Sequence, residues 1–130
     1  MEVADLTDLM VAFFGFWGGV ARLSSARLLG SPWNTLLVNL LGAFLLPLWN
    51  NFFGIRLTKN RRWILVGVGT GFFGAFTTFS SFCLDFMRLM MAGRTTLALL
   101  YLLLSMVGGL IAAWLGTIFA QRLSLKGMSY

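Results

Sequence analysis

Four long apolar stretches, separated by short polar connectors, take up nearly the whole chain. The first runs from about Leu9 to Leu29 and reads LMVAFFGFWGGVARLSSARLL. The second, WNTLLVNLLGAFLLPLWNNFF, spans about Trp33 to Phe53, the third about Trp63 to Met91, and the fourth about Leu97 to Ala120. A helix that crosses a bilayer needs about 20 mostly apolar residues. The pattern therefore predicts an all-α membrane protein of four transmembrane helices, with residues 1–130 forming a single membrane domain. The connectors agree with this division. GSP, at residues 30–32, ends in Pro32, which suits the first turn of the second helix. GIRLTKNRR is strongly basic, and AGRT, at residues 92–95, makes a short turn. Pro47 is expected to kink the second helix or to lie close to its end. The acidic start, MEVADLTD, does not resemble a signal peptide, so the first apolar run reads as a retained helix.

The third stretch departs from a plain span. Residues 69–85 read GTGFFGAFTTFSSFCLD, where glycines and hydroxyls interleave with five phenylalanines. The Gly-x-Gly-x-x-Gly spacing matches a dinucleotide fingerprint, but no strand or α/β unit surrounds it, and that reading is rejected. Two readings remain. Small residues allow helices to approach closely. Alternatively, the helix breaks near Gly74 to Thr78 and frees carbonyls that can hold a cation. Composition alone favours packing. Phe76, Phe79, Phe82 and Phe86 recur at helical spacing and form a stripe, with Ser80, Ser81 and Asp85 within a turn of it. Aromatic rings carry a positive edge. Ring edges beside hydroxyl donors make a track for a small dehydrated anion. Asn39 adds amide donors in the second segment, and Tyr101 and Ser105, four apart, share a face of the fourth. Taken singly, each of these three groups reads as a hydrogen bond between helices.

Composition narrows the function classes. The hydrophobic fraction is 58% and the charged fraction 11%, too little charge for a separate soluble domain. The net charge is +6, with the bases in connectors and at helix ends, which points to lipid headgroups and away from nucleic acid. There is no histidine and a single cysteine, Cys83, so common general-base, transition-metal and disulfide chemistry is absent and no enzyme is expected. The side holding both termini carries Arg56, Lys59, Arg61, Arg62, Arg122 and Lys126; the other claims Arg22, Arg27, Arg88 and Arg94. So near a balance permits insertion in both orientations, whereas truly intramembrane Arg22 and Arg27 would restore a bias.

Four pieces of the chain resemble one family: GGVAR at Gly18 to Arg22, NTLLVNLLGAF at Asn34 to Phe44, GFFGAFTTFSSF at Gly71 to Phe82, and Tyr101 with Ser105. They are similar to the small dual-topology fluoride channels of the Fluc, or CrcB, type, and the likeness covers nearly the full length. The resemblance implies passive, fluoride-selective export of cytoplasmic fluoride across the cell (inner or plasma) membrane. It implies an antiparallel dimer with two pores, formed with itself or with a close paralogue, and a third helix broken near its middle. It implies a structural Na+ at the dimer centre, held by the backbone carbonyls of Gly74 and Thr77. Phe79 and Phe82 would meet fluoride with their ring edges. Asn39 would be the pore asparagine, Ser80, Ser81, Tyr101 and Ser105 would supply the polar track, and Arg22 would stand in the vestibule, capturing anions, snorkelling or pairing with Asp85. The chain departs from the family pattern at Ala75, Ser81, Asp85 and Gly109, which leaves a heterodimer open. Of the two rival readings, a small dual-topology multidrug exporter would need a membrane carboxylate. Glu2, Asp5 and Asp8 lie too near the start, so only Asp85 could serve. A scaffold subunit, the other rival, predicts no ion flux.

Overall fold

The computed structural model describes residues 3–57 and 61–126. Glu2 and Lys59 lie outside the described residues, as do the side chains of Asp5 and Lys126. The elements run α1 (Val3–Leu28), α2 (Trp33–Arg56), α3 (Arg62–Val66), a π-helical turn (Gly67–Phe72), α4 (Phe73–Phe76), α5 (Phe79–Met91) and α6 (Thr95–Lys126). Among the described residues there is no strand. Four segments are long and apolar enough to cross a membrane: Leu6–Leu28, Trp33–Arg56, Arg62–Met91 and Thr95–Ser124, with mean hydropathy from 1.3 to 2.2. The first helix begins six residues before the apolar run that marks it, and the fourth ends six after its own. Pro47 lies inside α2, nine residues short of its end.

The apolar surface points outward. Phe16, Leu110 and Trp114 are each mostly exposed on the single chain. A helix that is apolar all round, as α6 is, is covered by lipid or by protein. The interior is correspondingly small, with Phe82, Leu89, Ala98 and Tyr101 forming its core between α5 and α6.

Close packing is achieved through glycine. α1 lies against the π turn and α4. A Cβ at Gly18 would overlap the Phe72 carbonyl. α2 lies along α6, where a Cβ at Gly116 would overlap the Phe44 carbonyl. Backbones in lipid approach this closely only where side chains are missing.

The third span is interrupted twice, and packing and breakage prove to be features of the same stretch. Its glycine-rich run does not unwind; it forms the π turn and then one turn of α-helix. The true break falls at Thr77 and Thr78, whose ψ angles of 157° and 119° are extended. Gly74, expected at the break, sits inside α4. Branching at Cβ favours extended backbone, so the two threonines are suited to the interruption. The phenylalanine stripe is interrupted with it. Phe76 belongs to α4 and stacks on Phe72 at 5.7 Å, whereas Phe79 and Phe82 open α5, 5.8 Å apart.

Candidate functional site

A break in the middle of an apolar span leaves backbone groups without helical partners, and in lipid they must find others. In a continuous helix, the Thr78 N–H would bond to the Gly74 carbonyl. Here it donates to Asn39 Oδ1 at 2.8 Å, while Asn39 Nδ2 donates to the Thr78 carbonyl at 3.0 Å. One side chain of α2 thus satisfies both polar groups of the central break residue. Thr78 in turn caps α5, its Oγ1 accepting from the Ser81 N–H at 3.2 Å. The same oxygen lies 3.0 Å from Ser81 Oγ and 3.3 Å from Ser80 Oγ, so three hydroxyls cluster at the start of α5.

Two cavities flank the break. The first, about 390 Å³, is lined by Asn39, Gly42, Phe73, Gly74, Thr77 and Phe79. Thr77 is held there by its Oγ1, which donates to the Phe73 carbonyl at 2.8 Å. A Cβ on Gly42 would overlap the Thr77 methyl, so a small residue is required in α2 opposite the break. The second cavity, about 460 Å³, lies beyond it, with Arg22, Asn34, Thr35, Thr78, Ser81 and Asp85 in its wall.

The two pore phenylalanines expected from the sequence differ in setting. Phe82 is 9% exposed and stacks on Tyr101 at 5.3 Å. Phe79 is 74% exposed on the single chain. Tyr101 and Ser105 are brought to the same side of α6. Their hydroxyl oxygens are buried, and neither makes a hydrogen bond of good geometry among the described residues, although Tyr101 Oη lies close to Thr35. Asn39, read from the sequence as a supplier of donors, spends one N–H and its carbonyl oxygen on the break, and its other N–H has no partner among the described residues. Gly74 and Thr77 face the first cavity together, and Arg22 faces the second.

Asp85 has partners that sequence reasoning missed. It is 4% exposed, and Thr35 Oγ1 donates to its Oδ2 at 2.6 Å. Ser31 Oγ donates to Oδ1. Its ion pair is with Arg88, 3.9 Å away and one turn along α5, not with Arg22. Ser31, in the turn before α2, and Thr35, its third residue, are four apart, a spacing close enough to mark them as a pair. Two hydroxyls and a guanidinium offset the cost of burying this carboxylate.

Residues 9–117 match the family described as CrcB-like protein, Camphor Resistance (CrcB). The chain is 47% identical over 108 residues to the fluoride-specific ion channel FluC 1 of Lactobacillus delbrueckii subsp. bulgaricus, covering 83% of each chain. It is 40% identical over 122 residues to FluC 2 of Listeria innocua, covering 92% of this chain and 94% of the relative. To FluC 1 of Latilactobacillus sakei it is 40% identical over 121 residues, covering 90% and 89%.

Proposed function

This chain belongs to the CrcB-like family, and from that premise we propose that it is a passive fluoride-selective channel of the cell membrane. The observation that carries the reading is the break at Thr77 and Thr78, with Asn39, Phe79 and the α5 hydroxyls around it. Fluoride holds its water tightly. A path that strips this water must replace it with oriented donors and ring edges that bind weakly enough for release. Phe82 stacked on Tyr101, with the buried Tyr101 and Ser105 hydroxyls beyond it, supplies such groups inside the protein. The exposed ring of Phe79 and the open first cavity lie on a surface that a second copy, or a close paralogue, would cover in an antiparallel dimer.

The same surface suits a structural sodium ion. Gly74 loses its helical donor because Thr78 N–H turns to Asn39, and Gly74 and Thr77 line one cavity. Uncharged carbonyl oxygens at an unwound helix are a sodium donor set. One copy provides two such carbonyls, and an antiparallel partner would double them. The ion would fix the break and take no part in permeation. Flow would follow the fluoride gradient and membrane potential and release fluoride that had entered the cell as the neutral acid. The exporter reading asks for a carboxylate free to exchange protons and cations, and Asp85 is already bound to two hydroxyls and paired with Arg88.

The test is fluoride efflux from liposomes containing the purified chain. Fluoride should leave and chloride should not. Phe79→Ile and Phe82→Ile should reduce efflux without preventing assembly. Normal efflux in both variants would remove the ring-edge mechanism.

A further inference from the structure

We propose that Asn34 is an amide donor to the anion at the mouth of the path, an assignment that rests on the channel reading above. Asn34 is the second residue of α2, and its backbone N–H is bonded to the Gly30 carbonyl at 3.1 Å, so its position is set by the main chain. The residue is only 7% exposed. Among the described residues its side chain makes no hydrogen bond, and Oδ1 is sealed off without a donor. Buried amides are normally hydrogen-bonded, so one that is not calls for an explanation. Asn34 lines the 460 Å³ cavity, and with Oδ1 covered the polar atom it has left to present there is Nδ2, a donor.

The surroundings select the sign of the ligand. Arg22 and Arg88 stand in the same wall against one carboxylate, Asp85. That carboxylate already accepts from Ser31 and Thr35 and pairs with Arg88, so its oxygens are engaged while this donor is not. Asn34 also sits in the first turn of a 24-residue helix, at the end where backbone N–H groups and the helix dipole favour negative charge. A small hydrogen-bond-accepting anion suits the free amide N–H, the excess of arginine over carboxylate and the helix end together. Asn34 thus provides an amide step between the arginines of the cavity and the Thr78–Ser81 hydroxyls that lie in the same wall.

The experiment is fluoride current through the full-length protein in planar bilayers, measured against fluoride concentration for wild type, Asn34→Ser, Asn34→Ala and Asn34→Asp. Asn34→Asp keeps the side chain's shape and replaces the donor with a negative charge. It should raise the half-saturating fluoride concentration by about tenfold or more, the scale of one hydrogen bond to a charged ligand. Asn34→Ala should shift it less, and Asn34→Ser, which restores a donor, should lie nearest to wild type. A purely structural residue would not produce that order. Asn34→Asp and Asn34→Ser decide the matter if Asn34→Ala fails to assemble. Wild-type half-saturation and maximal current in Asn34→Asp overturn the assignment while the channel reading stands. No fluoride current through the wild-type protein overturns both.

Discussion

Replacing Asn39 with alanine removes both hydrogen bonds that hold the break at Thr78. The Thr78 N–H and carbonyl are then left at membrane depth, and Thr78 is buried. Each unsatisfied buried group costs roughly 1–3 kcal/mol, which gives about 2–6 kcal/mol for the pair. Interhelical hydrogen bonds measured inside membranes average only about 0.6 kcal/mol, because the unfolded chain in lipid finds partners too. The lower end, about 2 kcal/mol, is therefore the expected loss. The structure argues against a smaller one, since Asn39 pairs with backbone groups that helix formation has already abandoned. The assay is SDS-titrated unfolding followed by tryptophan fluorescence, with fluoride efflux measured on the same preparation. Asn39→Ala should unfold at lower SDS and lose most of its efflux. Asn39→Asp, which keeps the acceptor for Thr78 N–H, should be intermediate in stability. An Asn39→Ala protein with wild-type unfolding and wild-type efflux would refute the view that α2 braces the break.

Gly18→Val should prevent α1 from docking on the third span, because its side chain would overlap the Phe72 backbone carbonyl; a loss of about 1–3 kcal/mol or more is expected in the same SDS titration. Asp85→Asn should destabilise the protein by about 1–3 kcal/mol through its contacts with Ser31 and Thr35 yet leave fluoride efflux measurable. If Asp85→Asn instead abolished export of a lipophilic cation by the wild-type activity, the exporter reading would replace the channel. Exchanging sodium for N-methylglucamine throughout should shift the purified protein from dimer to monomer on size exclusion and lower efflux, as expected if the Gly74 and Thr77 carbonyls hold the ion.

The four spans are plain in the chain because a membrane helix must be continuously apolar, and nothing else in 130 residues competes with that signal. The break was also within reach, since Gly74 to Thr78 bracketed it. Its placement at Thr77 and Thr78 was not, because glycine content marks where a helix is weak and tertiary partners decide where it parts. Here the partner is Asn39, and no local pattern joins it to a threonine 39 residues later. The same limit hid the engagement of Asp85, whose hydroxyl partners lie 50 and 54 residues away in the chain. The π turn has no sequence signature either, because Gly67–Phe72 differs from an α-helix by a widening that the close approach of α1 accompanies. In the sequence Asn34 is only part of a motif; its lack of a partner is visible only in three dimensions.

The most direct test of the account is the reversal potential of the current across a planar bilayer holding the purified protein, with opposed gradients of fluoride and chloride. A passive fluoride pathway predicts a reversal that follows the fluoride gradient alone and does not move when chloride is changed. A reversal set by chloride or by protons, or no current at all, would contradict it.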